Sequence, residues 1–272
     1  MAEYYVGIDI GGMTIKGIVL DKDGKALCED VAVTGSENGG DFMCDIIAEL
    51  VFSMLKKCGV DKEDAHVGGG CPGIIDSENG VLVFSGNLNL RDYPLASKLK
   101  ERIGISVKIT NDANAAALGE AKFGAGKNYK NSILVTLGTG VGGGIIIDGE
   151  LFEGYRSAGA EIGHMVIERH GDVCTCGRRG CFEAYCSATA LVRRTRRQME
   201  DNPRSAMWTK YTSDTANGKT AFDFYHTDID AKEVVDWYTK YLACGIANLA
   251  NIFRPEIIML GGGVSEQGDN LI

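Results

Sequence analysis

Between Glu161 and Glu183 the chain carries three cysteines, two histidines and three glutamates, interrupted by glycine turns. A segment of that composition folds around a metal rather than around an apolar core, because the stretch from Arg169 to Gly180 is too polar to bury. The candidate ligands are His164, Cys174, Cys176 and Cys181. One imidazole and three thiolates suit tetrahedral zinc better than magnesium, calcium or square-planar copper. Gly177 and Gly180 let the backbone turn between the last two cysteines without a Cβ penalty. The order Cys-x-Cys and then Cys differs from the usual Cys-x-x-Cys of zinc fingers. Spacing alone therefore leaves open reduced, buried cysteines acting as small hydrophobes. His170 is read as a solvated loop residue.

With 272 residues and 44% hydrophobic content, the chain has enough length and apolar surface for two α/β domains. No apolar run approaches a membrane span. The start, Tyr4-Tyr5-Val6-Gly7-Ile8-Asp9, lacks the pattern of a secretory signal, so a cytoplasmic protein without a membrane partner is expected. Nine cysteines in so long a chain do not read as a disulfide framework. Cys28, Cys44, Cys58, Cys71 and Cys244 are read as core or helix-face thiols. A net charge of −9 repels phosphate backbones and argues against a nucleic-acid partner. The basic run Arg193, Arg194, Arg196, Arg197 is expected on a helix, as a solvated or interface face.

Three glycine turns punctuate the rest. Tyr4 to Ile10, Gly11-Gly12 and Thr14 to Leu20 predict a strand, a tight turn and an antiparallel return. Its tip carries Asp9, Gly11, Gly12, Thr14 and Lys16. The free N–H groups of adjacent glycines approach anions, and Asp9 is placed to hold hydrated magnesium; an ordinary hairpin turn is the plain alternative. Ser132 to Leu137, the turn Gly138-Thr139-Gly140 running on to Gly144, and a strand from Ile145 to Asp148 repeat the pattern. A strand after the turn, where a dinucleotide fold needs a helix, excludes the Rossmann reading. The repetition predicts two similar lobes, each offering a glycine hairpin to phosphate. The third turn, Gly261-Gly262-Gly263, follows a strand from Glu256 to Leu260 and is suited to adenine or ribose.

Helical periods mark Phe42 to Cys58, Leu95 to Ile103, Ala184 to Met199 and a long helix with Val234, Tyr238, Tyr241, Leu242, Gly245, Leu249 and Ile252 on one face. Asp201 to Asp230 is poorly periodic. Strands are expected at Ala65 to Gly70, Val81 to Phe84 and Val107 to Thr110, with glycine-rich or polar loops at Gly73 and Asn87. Asn111-Asp112 then opens an Ala-rich helix. Capping is the plain reading of Asp112; the functional one makes it a base that accepts a hydroxyl proton.

Together these pieces resemble the ROK family of sugar kinases, most closely its bacterial glucokinase branch. The matching residues are Asp9 to Lys16, Cys71-Pro72-Gly73, Asn111 to Asn114, Leu137 to Gly144, Glu161 to His164, the three knuckle cysteines, Glu183 and Gly261 to Gly263, in one order along the chain. The resemblance implies an α/β, two-lobed actin-like ATPase (ribonuclease H-like) fold with an interlobe cleft. Residues 1–111 would form a smaller lobe and 112–272 a larger one with the zinc knuckle. It implies ATP-dependent phosphorylation of the 6-hydroxyl of glucose, with Asp112 as general base. Gly73, Asn87, Asn111, Glu161, His164 and Glu183 would bind sugar; the Asp9 and Gly138 hairpins would hold ATP phosphates and Mg²⁺, and the Gly261 turn adenosine. His164 would serve zinc and sugar through different ring nitrogens. The alternatives are another hexose kinase, such as one for N-acetylmannosamine, a non-catalytic sugar-sensing regulator, or a relic without activity. A homo-oligomer, a dimer, is expected. Two departures stand out: Met13 replaces a small hydroxyl residue, and the chain stops at Ile272, where relatives continue into further helices, so a C-terminal part is expected to be missing.

Overall fold

β1 (Tyr4–Ile10) and β2 (Thr14–Asp21) pair antiparallel from Tyr4↔Asp21 to Ile10↔Ile15, as the first glycine turn predicts. The period of two puts Val6, Ile8 and Ile10 on the buried face and leaves Tyr5 exposed on the other. The computed structural model describes residues 4–271, in two compact units. Residues 4–124 with Leu151–Ala160 form the first, and Ala125–Glu150 with 161–271 the second.

In the first unit β3 (Ala26–Val33), β4 (Ala65–Cys71) and β8 (Val107–Asn111) complete a sheet ordered β3-β2-β1-β4-β8. β1, β4 and β8 are parallel, which requires crossovers. α1 (Gly40–Cys58) supplies the first, burying Met43, Ile47, Val51 and Met54 against the sheet and ending on Gly59, whose φ of 65° is the left-handed stop of a helix. A small sheet, β5 (Ile74–Asp76), β6 (Val81–Ser85) and β7 (Leu90–Tyr93), and α2 (Leu95–Ile103) supply the second. α3 (Asp112–Phe123) follows β8 directly and lies on β4, where a Cβ on Gly70 would come within 3.1 Å of both the Asp112 Cα and the Ala115 Cβ. That packing keeps α3 with the first unit, beyond the boundary expected after Asn111.

The second unit is built on β9 (Ser132–Leu137) and β10 (Val141–Ile147), an antiparallel hairpin, with β12 (Ile257–Gly261) parallel to β9 and the short β11 (Glu150–Phe152) outside β10. The helix expected from Ala184 to Met199 is two, α4 (Glu183–Cys186) and α5 (Ala188–Asp201). Ser187 between them is extended, and its Oγ accepts the Ala190 N–H at 3.1 Å, an N-cap that restarts the helix. The Asp201 to Asp230 stretch holds a 3₁₀ turn at Ala206–Thr209 and a short α-helix, α6 (Thr220–Asp223), before a long helix begins at Ile229.

α7 (Ile229–Phe253) buries Val234, Tyr238, Leu242, Gly245 and Leu249, whereas Ile252, expected on that face, is 67% exposed near the helix end. Gly245 is needed for close approach, since any Cβ there would strike the Phe182 ring. No helix among the described residues is long and apolar enough to cross a membrane.

Candidate functional site

The first unit gathers its candidate residues where β1, β4 and β8 end. The register sets Asp9 opposite Lys16 on β2 and opposite Gly70 on β4, and Asn111 opposite Cys71. Asn111 caps α3: its Oδ1 accepts from Ala113 N at 2.9 Å and Asn114 N at 3.3 Å, while its Nδ2 donates to the Gly73 carbonyl at 3.1 Å. Asp112 is therefore the first residue of the helix and not its cap. Its Oδ1 accepts the Ala113 N–H at 2.8 Å, and no described residue hydrogen-bonds its Oδ2.

Asp9 keeps an exposed face, yet enough protein surrounds it to raise its pKa above the ordinary carboxylate value. Desolvation is the largest cause, Lys16 opposes it and Asp112 adds to it. Asp9 and Asp112 are thus close enough to feel each other's charge, which is an invitation to a cation.

The turn after β1 is held by hydroxyls that the sequence reading did not single out. Gly11 N donates to Thr14 O at 2.9 Å, while Thr34 Oγ1 donates to Gly11 O at 2.6 Å and Ser36 Oγ to Gly12 O at 3.2 Å. Gly12 packs closely on the loop of Asn87, where a Cβ would stand 3.1 Å from the Asn87 carbonyl oxygen and ask that loop to give by a few tenths of an ångström. Met13 fills its position with a side chain that is 83% exposed, and its carbonyl accepts the Thr34 N–H at 3.0 Å.

In the second unit the other two glycine turns are neighbours, because β9 and β12 run parallel and end together, Gly261 opposite Thr136. Gly138 N donates to Gly140 O at 3.0 Å, Ala188 N at the start of α5 donates to Gly138 O at 2.7 Å, and Thr189 Oγ1 donates to Thr139 O at 2.8 Å. Gly262, with φ of 85°, sits against Leu137, and Val264 N donates to the Leu137 carbonyl at 3.2 Å. Glu161 to His164 packs on the start of β10, where Gly163 lies so close to the Val141 carbonyl that no side chain fits.

The four proposed ligands converge, with their donor atoms all within 4.8 Å of one another. Cys176 and Cys181 Sγ are 3.7 Å apart, and Cys174 Sγ is 3.6 Å from His164 Nδ1. A tetrahedron with bonds of about 2.3 Å has edges of about 3.8 Å, so the set fits a thiophilic, four-coordinate cation bound through Nδ1. Burial, then the neighbouring thiols, pushes the Cys181 thiol up to about 12; a divalent cation among the thiols reverses that penalty. His170 stays outside the cluster.

Glu183 joins this cluster to the glycine turn between β9 and β10. Its Oε2 accepts the Val141 N–H at 3.2 Å, and its Oε1 accepts from Thr175 Oγ1 at 2.7 Å and Cys174 Sγ at 3.5 Å. Thr175 and Thr189 went unnoticed in the sequence, since isolated threonines carry no pattern.

The sequence profile of the ROK family matches residues 5–271. A glucokinase of Halalkalibacterium halodurans is 39% identical over 99% of this chain and 83% of its own length. A xylose repressor of Bacillus spizizenii is 33% identical over 97% of this chain and 65% of its own. Among solved structures, a ROK family glucokinase from Streptomyces griseus in complex with glucose and AMPPNP superposes with a TM-score of 0.83 at 34% identity, covering 98% of this chain and 86% of that one. The fold is thus the actin-like ATPase fold of such glucokinases, and the chain belongs to the ROK family.

Proposed function

We propose that the chain is an ATP-dependent hexose kinase that phosphorylates the 6-hydroxyl of glucose. The observation that carries the reading is the free Oδ2 of Asp112, which capping by Asn111 leaves available to take a hydroxyl proton. Asp9, beside it in charge, would hold Mg²⁺ with the ATP phosphates, and the cation offsets the repulsion between the two carboxylates. Lys16, Thr14 and the Gly12 amide of the first unit, Gly11 shaping the turn with its own N–H spent on the Thr14 carbonyl, and the Gly138-Thr139-Gly140 turn of the second, supply phosphate contacts; Gly261-Gly262-Gly263 takes adenosine. Gly73, Asn87, Asn111, Glu161, His164 and Glu183 orient the sugar, since phosphoryl transfer depends on alignment and charge neutralisation more than on covalent chemistry.

Zinc is the metal we assign to His164, Cys174, Cys176 and Cys181, on the all-N/S donor set and the His164–Cys174 and Cys176–Cys181 separations. It would act structurally, holding His164 with Nε2 free for a sugar hydroxyl. The protein is assigned to the cytoplasm, as a homodimer.

The likeness to a xylose repressor supports a second reading, a regulator that binds sugar without transferring phosphate. An assay of ADP release from ATP-Mg²⁺ over a panel of hexoses separates them. The kinase reading expects glucose-dependent turnover that falls by about 10²–10⁴-fold in Asp112→Asn with glucose binding retained. Glucose binding without turnover in the unmodified chain would sink it in favour of the regulator.

A further inference from the structure

The segment Leu151–Ala160 is folded with the first unit and runs directly into Glu161. Its backbone is unusual: Arg156, Ser157 and Ala160 have φ of 54°, 55° and 59°, in the left-handed region that side chains avoid. Such conformations persist only where neighbouring contacts over-determine them. Gly159 N donates to the Glu153 carbonyl at 2.7 Å and closes the segment into a loop. A hydroxyl cluster then fastens the loop to two other parts of the chain. Ser77 Oγ donates to Glu153 Oε2 at 2.7 Å, Thr110 Oγ1 donates to Glu153 Oε1 at 3.0 Å, and Ser77 also meets Ser157, Oγ to Oγ at 2.8 Å. Both carboxylate oxygens of Glu153 are thereby used, each on a different segment.

Those segments carry the residues assigned above to the sugar. Thr110 precedes Asn111 and Asp112, Ser77 follows β5, which begins immediately after Gly73, and the loop itself ends at Glu161. We infer that Glu153 is a positioning residue for the hexose: its one carboxylate sets, within the first unit, the mutual placement of the segments that present Gly73 and Asn111 with Asp112. The inference rests on the hexose-kinase reading and goes beyond it, since Glu153 itself is not assigned a contact with sugar or nucleotide.

The test compares Glu153→Ala, Glu153→Gln and the unmodified full chain by calorimetric titration with glucose, by steady-state kinetics with glucose and ATP varied separately, and by thermal unfolding. Removal of two hydrogen bonds in Glu153→Ala is expected to weaken glucose binding and raise the glucose KM roughly tenfold, with the ATP KM within about twofold. Glu153→Gln keeps an acceptor for one hydroxyl and a donor that the other can accept, and is expected to recover most of the affinity. Should Glu153→Ala not fold, Thr110→Val and Ser77→Ala each remove one bond and are expected to show part of the same glucose-specific loss.

Equal glucose affinity in Glu153→Ala and the unmodified chain, with only a lower melting temperature, overturns the positioning role and leaves the kinase reading standing. An unmodified chain that neither binds nor phosphorylates any hexose overturns both.

Discussion

Asn111 hands its neighbour Asp112 a free oxygen. By accepting the Ala113 and Asn114 amides itself, Asn111 does the capping that Asp112 would otherwise do, and Asp112 stands one residue inside α3 with its Oδ2 hydrogen-bonded by no described residue. The same amide group ties β8 to the Gly73 carbonyl through Nδ2. Capping and catalysis, rival readings of Asp112 in the sequence, are divided between adjacent side chains.

Asn111→Ala should therefore cost both stability and sugar binding. Loss of the cap is worth about 1 kcal/mol, and release of Gly73 should raise the glucose KM as well. Asp112→Asn should leave the unfolding free energy within about 0.5 kcal/mol, because the cap is untouched. Urea unfolding of the two variants checks the contrast. A larger loss in Asp112→Asn than in Asn111→Ala would show that the cap has been assigned to the wrong residue.

Asp9 should trade stability for function. Its folded-state pKa lies above the unfolded value, chiefly through desolvation, so the protonated form is favoured in the native state. The favourable contribution is complete below the unfolded pKa and is lost as pH rises through the folded one. At neutral pH the charged Asp9 thus strains the fold. Asp9→Asn is expected to melt higher than the unmodified chain at pH 7, with the difference shrinking toward pH 4, and to lose Mg²⁺-dependent turnover. Melting curves at several pH values without nucleotide decide it; a variant less stable at pH 7 contradicts the desolvation account.

The glycine turns and the convergence of His164, Cys174, Cys176 and Cys181 were legible in the chain because each is local: the chemistry of a turn or of a donor cluster is written within a few residues. Less local features were not. β3 has apolar residues on its solvent side, Leu27, Val31 and Val33, so its alternation gives no contrast between faces. The break at Ser187 hides in a good helical period because a single cap residue restarts the helix in phase with it. Ile252 fits the buried face of α7 by spacing, but nothing covers that end among the described residues. The clasp of Glu153 joins Ser77 and Thr110 across distant parts of the chain, and no periodicity links such positions.

Metal removal should be felt at the nucleotide as well as at the sugar. Thr175, between the ligands Cys174 and Cys176, reaches Val141, at the end of the glycine turn assigned to phosphate, through the single carboxylate of Glu183; the contact of Cys174 Sγ with the same carboxylate needs a thiol proton that a metal-bound thiolate lacks. Prolonged chelation, or Cys181→Ser at the buried ligand, is expected to abolish zinc in elemental analysis, lower the melting temperature and raise both the glucose and ATP KM. Thr175→Val keeps all four ligands and removes only the link to Glu183. It should retain zinc and raise the ATP KM about two- to fivefold. Unchanged ATP kinetics in a zinc-loaded Thr175→Val would break the proposed connection.

The third glycine turn offers a test that leaves the metal and the acids alone. Gly262 has φ of 85°, and a Cβ there would lie 2.6 Å from the Leu137 carbonyl, the residue that leads into Gly138. Alanine is doubly disfavoured, by its backbone conformation and by collision with a backbone atom that cannot move aside. The substitution must therefore displace one glycine turn or the other, and both are assigned to ATP. Gly218→Ala is the control, since nothing lies within 4 Å of its Cβ position and it is assigned no contact with nucleotide. Gly262→Ala is expected to weaken binding of a non-hydrolysable ATP analogue by more than tenfold, against less than threefold for Gly218→Ala, with glucose affinity nearly unchanged in both. Equal nucleotide affinity in the two variants would remove the Gly262 turn from the ATP site.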